Sequence, residues 1–275
     1  MTYSRLYLQI RAIIGGEANE FCRCFFGREP SDIRFDETEA DEKTANKALS
    51  LCRRISEGEP MQYIFGYAYF HGLQIICKEN VLIPRMDTET VVDIALKTLP
   101  KNAVFADMCC GTGCIAAAVL HGRQDLHAVC IDVNEDAVNL TEKNLEKYAL
   151  RERAEVIRFD VFDDWSKLPD FGAVISNPPY IKAIDMEILP DNVKREPYNA
   201  LYGGSDGLDF YKRITKAAKE RLKQNTHIIF EIGYDEAEDV SAIGAENGLE
   251  AETVKDLSGN DRAVILKGSG LWKNL

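Results

Sequence analysis

Beyond Pro84 the chain alternates short β-rich runs with amphipathic helical stretches, and this alternation constrains the fold more than any single motif. Strand-like runs fall at 103–108, 127–133, 154–160, 173–176, 227–232, 250–255 and 263–267. Helical segments fill the gaps, for example at 135–148, 208–222 and 236–246. Strands joined through helices cannot be hairpins, so they run parallel and their helices cover both faces of the sheet. The expected class is α/β, with a mostly parallel sheet of seven strands. One connection stands apart: 181–207 has little periodicity and contains Pro190 and Pro197. Loops of that length tend to be lids or binding loops.

The earlier part reads differently. Leu6, Ile10, Ile13 and Ile14 share one helical face, as do Ala18, Phe21, Cys22 and Phe25, and then Ala48, Leu51, Cys52 and Ile55. Gly15-Gly16 and Gly27 end the first two of these segments. Three short helices form a small bundle, and the acidic run 36–42 reads as a solvated helix start, which the helix dipole favours. From Gly58-Glu59-Pro60 the pattern turns β-rich: 62–70 and 73–76 flank His71-Gly72, a hairpin signal. The expected organisation is a helical domain over 1–58, a β-hairpin linker over 59–84 and an α/β domain over 85–275. A chain of 275 residues, at roughly 150 per domain, accommodates this.

Charge and cysteine usage narrow the class. Net charge is −12, which argues against a protein that coats phosphate backbones, because affinity there comes from many Lys and Arg contacts. Direct nucleic-acid binding is not expected. No stretch approaches the ~20 apolar residues a membrane span needs. Gln9 and Arg11 interrupt the first apolar segment, unlike the core of a signal peptide. The eight cysteines form no CxxC pair and the four histidines are scattered, so reduced packing thiols, no metal site and a cytoplasmic location are expected.

Two segments carry chemistry. Asp107-Met108-Cys109-Cys110-Gly111-Thr112-Gly113-Cys114 runs from a strand through glycines into a helix. Glycines there permit a tight turn and close approach of a ligand, and the helix start offers free N–H groups to an anion. Asp132, ending the second strand, is placed to accept hydrogen bonds from both hydroxyls of a ribose. Asp160 ends the third strand, where it could face an adenine. Together these suit NAD, FAD or S-adenosylmethionine alike.

The second segment is Asn177-Pro178-Pro179-Tyr180, directly after the fourth strand. Two prolines remove N–H donors and leave carbonyl acceptors, Asn177 adds a side-chain acceptor, and Tyr180 adds a flat aromatic face. A planar, conjugated NH2 group, such as an amide, adenine N6 or cytosine N4, is a poor nucleophile because its lone pair is delocalised. Two acceptors gripping its hydrogens turn that lone pair toward an electrophilic methyl and stabilise the positive charge that grows on nitrogen. No side-chain base is needed, since the methylated cation gives its proton to water.

At this point the chain resembles the release factor glutamine methyltransferase family. Besides the Asn-Pro-Pro-Tyr motif, Gly58-Glu59-Pro60-x-Gln62-Tyr63-Ile64-x-Gly66 and Val81-Leu82-Ile83-Pro84-Arg85-Met86-Asp87-Thr88-Glu89 are similar to its linker sequences. Arg195-Glu196-Pro197, Gly203-Gly204-x-Asp206-Gly207, Glu231-Ile232-Gly233 and Asp256-Leu257-x-Gly259-x-Asp261-Arg262 extend the likeness to about residue 267. The resemblance implies a Rossmann-like class I methyltransferase sheet behind a helical substrate-recognition domain. It further implies S-adenosyl-L-methionine as cofactor and the Gly-Gly-Gln glutamine of peptide-chain release factors as substrate. By it, Asn177, Pro178, Pro179 and Tyr180 are catalytic and substrate-binding. The cofactor falls to Cys109, Cys110, Gly111, Thr112, Gly113, Asp132, Asp160, Val161 and Asn177. The chain departs from the family at Cys109-Cys110, where glycine and threonine are usual, at Met86-Asp87 for Pro-Glu, and at Val161, where some members carry tryptophan.

Two rivals remain in view. An adenine N6-methyltransferase acting on DNA or RNA needs the same acceptor motif, but also basic surface and a target-recognition region. A non-catalytic adaptor would not need Gly111, Gly113, Asp132 and Asn177 all intact.

Overall fold

The computed structural model describes residues 1–268; the end of the expected 85–275 domain, 269–275, lies outside them. The chain divides into two compact units, one of Met1–Tyr67 with Pro190–Arg195, the other of Ala68–Leu189 with the chain from Glu196 onward.

The first unit is helical: α1 (Tyr3–Ile14), α2 (Ala18–Phe26), α3 (Pro30–Arg34), α4 (Glu42–Ser56), α5 (Met61–Phe65) and, from further along the chain, α9 (Asp191–Lys194). Thr2 and Asp41 cap α1 and α4 by accepting the N–H groups of Arg5 and Thr44. Leu6, Ile10 and Ile14 of α1 pack on Phe21 of α2 and on Ala45, Ala48, Cys52 and Ile55 of α4. Phe21 stacks on Phe25 and meets Phe65 edge-on. Arg195 donates from Nη2 to the carbonyl of Glu57 at 2.8 Å, which ties the α9 segment to the end of α4. Sequence periodicity shows three helices over 1–58, and the structure adds the short α3 among them and α5 beyond. Pro30, at the first helical position, begins α3. Residues 62–65, expected in a strand, form the helical turn α5 instead. Pro60 precedes it and Gly66, at φ 78°, closes it in the left-handed region. The β-prone side chains of Tyr63, Ile64 and Phe65 yield there to the punctuation on either side.

Next comes the hairpin of β1 (Tyr67–Phe70) and β2 (Leu73–Ile76), which belongs to the second unit from Ala68 onward. His71 and Gly72 both have positive φ, 47° and 78°, as a two-residue hairpin turn requires. Then come α6 (Glu89–Thr98), β3 (Val104–Met108), α7 (Cys114–Gly122), β4 (His127–Asp132), α8 (Glu135–Lys147), β5 (Ala154–Arg158) and β6 (Ala173–Ser176). After them follow α10 (Tyr198–Leu201), α11 (Asp209–Leu222), β7 (His227–Glu231), α12 (Ala237–Glu246), β8 (Leu249–Lys255) and β9 (Asp261–Gly268).

Strands β3 to β9 form a seven-stranded sheet in the order β5-β4-β3-β6-β7-β9-β8. Pairs from β5 through β7 are parallel; β9 runs antiparallel between β7 and β8. Alternation along the strands sorts the two faces. Phe105, Cys130, Ile175 and Ile229 join one apolar cluster with α6 and α7. Ala106, Ile131, Val174 and Ile228 join the other with α11 and α12. This is the mostly parallel, seven-stranded α/β sheet expected from the alternation of strands and helices, in the Rossmann-like form that the family resemblance implied. The strand order reverses between β3 and β6, so their carboxyl ends flank a crevice where ligands of such sheets bind.

Candidate active site at the sheet's carboxyl edge

The turn after β3 is built to approach a ligand closely. Cys109, Gly111 and Gly113 all have positive φ, at 60°, 55° and 72°. Gly113 heads α7, and a Cβ on it would sit 2.7 Å from Thr141 Cγ2. Glycine is required there on both counts. Hydrogen bonds from all sides fix the turn. The Cys110 N–H donates to Ile131 O at 3.0 Å, Thr141 Oγ1 donates to Gly111 O at 3.1 Å, and Asn144 Nδ2 donates to Thr112 O at 2.8 Å.

Asp132, at the end of β4, accepts the N–H of Gly111 on Oδ2 and that of Asn134 on Oδ1, both at 2.9 Å. Each carboxylate oxygen can accept a second hydrogen bond, so the side chain keeps acceptor capacity toward the crevice. Burial raises its pKa, against the pull of these backbone donors. Asp107 lies deeper, fully buried, accepting the Ala116 N–H at 3.1 Å, and burial pushes its pKa up to about 7. All eight cysteines are free. Burial holds the thiols of Cys110 and Cys114 well above their ordinary range, which keeps them protonated packing groups.

Across the crevice, Ser176 Oγ donates to Met108 O at 2.6 Å, clamping the end of β6 to the end of β3 at their paired positions. Asn177 follows at once. Its Nδ2 donates to Thr88 Oγ1 at 3.2 Å, which leaves Oδ1 as the amide's acceptor. Tyr180 turns its hydroxyl to Glu231 Oε1 in a long contact of 3.5 Å, and burial raises its pKa. Buried Glu196, from the long 181–207 connection, accepts the Ile83 N–H at 3.0 Å and pairs with Arg85. That latch holds the segment 81–85 in place.

One cavity joins these parts. Its wall takes in residues 81–85, Thr88, 109–112, Asp132, 159–162, Asn177, Pro179, Asn199, Ala200 and Phe210. Of the residues singled out in the sequence, Cys109, Cys110, Gly111, Thr112, Asp132, Asp160, Val161, Asn177 and Pro179 share it. Among the described residues, Gly113, Pro178 and Tyr180 are not part of that wall. Asp160 lies two positions past the end of β5, in a turn where it accepts the Phe162 N–H at 2.9 Å.

Sequence reasoning assigned no role to Thr88, Glu196, Phe162, Phe210 or Glu231. Phe162 and Phe210 meet edge-on at 5.1 Å and give the wall an aromatic surface one position after Val161. Thr88, Glu196 and Glu231 all sit inside the motifs that carry the family resemblance, but their spacing in the chain reveals no partner.

Residues 84–192 match the family described as Methyltransferase small domain. A release factor glutamine methyltransferase of Clostridium botulinum is 38% identical over 211 residues, covering 74% of this chain and 74% of that protein. Another from Clostridium acetobutylicum is 35% identical over 240 residues, covering 86% of this chain and 84% of its own. Among solved structures, the ribosomal protein L11 methylase of Lactobacillus delbrueckii subsp. bulgaricus superposes with a TM-score of 0.50 at 13% identity. It covers 70% of this chain and 83% of its own, a likeness of fold. The extent of the two sequence matches, together with the methyltransferase sheet, establishes that the chain belongs to the release factor glutamine methyltransferase family.

Proposed function

We propose that this protein methylates the side-chain amide nitrogen of the glutamine in the Gly-Gly-Gln motif of peptide-chain release factors, using S-adenosyl-L-methionine. The carrying observation is that Asn177, at the end of β6, and Asp132, at the end of β4, open into the same cavity from strands on either side of β3.

The residues present fit the cofactor. A Cβ on Gly111 would meet nothing within 4 Å, so the turn leaves an open cradle. Asp132 offers acceptors for a ribose diol, Cys109 to Thr112 line the part nearest α7, and Asp160, Val161 and Phe162 offer a surface for a base. When bound, S-adenosylmethionine supplies an electrophilic methyl carbon and leaves as a thioether. The chain's own part is to hold the acceptor amide. Asn177 Oδ1 takes one of its hydrogens and the Pro178 carbonyl the other, which stabilises charge growing on nitrogen. Pro179 stiffens this segment, while Tyr180, expected to pack on the plane of the amide, lies outside the cavity wall with its hydroxyl turned to Glu231. Recognition of the protein substrate is assigned to residues 1–58, with 59–84 as linker and the chemistry in the domain beyond. A release factor acts at the ribosome, which on this reading sets the protein in the cytoplasm.

Incubating the protein and cofactor with a release factor, and in parallel with an adenine-containing oligonucleotide, tests the reading. Peptide mapping should find one methyl on the Gly-Gly-Gln glutamine and none on the oligonucleotide. Methylated adenine with an unmodified release factor would reverse the assignment.

A further inference from the structure

The turn after β5 forms part of the cavity wall, and the chain holds it from outside the cavity. Residues 159–162 line the cavity. Phe162 is 48% exposed and also borders a second hollow, with Asp163, Asp164, Trp165 and Arg213. Packing alone does not fix a ring so exposed, so its place depends on the backbone to either side.

Within the turn, Asp160 accepts the Phe162 N–H on Oδ1 and the Asp163 N–H on its carbonyl, both at 2.9 Å. The rest of the hold comes from elsewhere. The Val161 carbonyl accepts two hydrogen bonds, from Trp165 Nε1 at 2.9 Å and from Arg213 Nε at 2.8 Å. A carbonyl oxygen has two lone pairs, and both are used. Arg213 Nη2 donates as well to the carbonyl of Asp163. One guanidinium thus grips the carbonyls on both sides of Phe162. Arg213 stands three positions after Phe210 in α11, so the two share a face of that helix. Phe210 meets the Phe162 ring edge-on at 5.1 Å. Ring and backbone are held together by one face of one helix. Among the described residues, Arg213 is not part of the cavity wall, and it acts on the cavity through the turn.

We propose that Arg213 is a positioning residue for the base of the cofactor: its guanidinium sets the turn 160–163 and, with Phe210, fixes the Phe162 ring as the wall against which the adenine lies. The proposal rests on the reading of Asp160, Val161 and Phe162 as the base surface of an S-adenosylmethionine site. A wall fixed in advance loses little freedom when the ligand arrives. Arg213 therefore contributes to cofactor affinity and not to the rate of transfer, which is assigned to Asn177 and Pro178. Only a planar fork reaches both carbonyls; the point charge of a lysine holds one.

Calorimetric binding of S-adenosylhomocysteine tests this, on Arg213→Ala, Arg213→Lys, Phe162→Ala and the double variant Phe162→Ala with Arg213→Ala. Each is measured well below its own unfolding midpoint, so that folded protein is compared with folded protein. Phe162→Ala should weaken binding about tenfold, within the range of a contact between a base and an aromatic ring. Arg213→Ala should lose about as much, and Arg213→Lys about threefold or more. The double variant should bind within about twofold of Phe162→Ala, because Arg213 acts through the ring that is already gone. In methyl transfer, Arg213→Ala should raise KM for the cofactor about tenfold and leave kcat within about twofold of wild type. Four results overturn the proposal while leaving the cofactor reading in place. They are unchanged affinity in Arg213→Ala, full affinity in Arg213→Lys, multiplied losses in the double variant, and a fall in kcat at unchanged KM. Where Arg213→Ala does not fold, Arg213→Lys and its double variant with Phe162→Ala give the same comparison. A wild-type protein that binds no S-adenosylhomocysteine overturns the cofactor reading, and the proposal with it.

Discussion

Asn177 Nδ2 donates to Thr88 Oγ1 across 3.2 Å, although the two residues stand 89 positions apart in the chain. One directly follows β6, the fourth strand of the parallel run; the other ends the short turn before α6. Both are therefore carried by regular elements, which is how a side chain is held to the tolerance that catalysis demands. The long 181–207 connection is latched separately, through Glu196 on Ile83 and Arg85.

Asp132→Ala should weaken S-adenosylmethionine binding about tenfold or more, from the loss of two hydrogen bonds at about 1 kcal/mol each. The Gly111 and Asn134 N–H groups also lose their acceptor, so the effect is not smaller than the ribose contacts alone. Calorimetry measures it directly. Unchanged affinity would remove Asp132 from the cofactor site.

Gly113→Ala should destabilise the fold by about 2 kcal/mol, since the new Cβ meets Thr141 at 2.7 Å and the φ of 72° disfavours any L side chain. Urea unfolding followed by circular dichroism gives the value. A midpoint equal to wild type would mean that the turn is looser than its hydrogen bonds imply.

Asp107 supplies a pH test. Its pKa rises from the ordinary 3.8 to about 7 because burial penalises the charged form. The neutral form is the one folding favours, so its contribution to stability is full below about 4, falls as pH rises toward 7, and is flat above that. Asp107→Asn is neutral throughout. The stability of wild type relative to this variant should therefore decline between about pH 4 and 7. A difference independent of pH would show that the Asp107 carboxyl is not buried as described.

Much of the fold was legible because the strands from β3 onward alternate between two apolar faces and are separated by helices of ordinary length. Val174 and Ile175 point into opposite clusters, and the sequence pattern already required that. The turn at 109–113 and Asp132 were legible for a local reason: both lie at strand ends, where the backbone itself sets the geometry. The segment 62–65 was not, because a single helical turn is too short to display a period. Neither was the contact between Thr88 and Asn177. The two meet only where the turn before α6 comes up against the end of β6, and sequence spacing carries no trace of such a meeting.

The most direct test of the account is single-turnover methyl transfer by Asn177→Ala, with cofactor affinity measured on the same preparation. Losing one acceptor aimed at charge that develops only during transfer should cost about 10²–10³ in rate. Cofactor affinity should fall much less, because Asp132 and the turn at 109–113 remain. Near-normal transfer by the alanine variant would contradict the account, removing Asn177 from the chemistry and leaving Asn-Pro-Pro-Tyr as no more than the end of a strand.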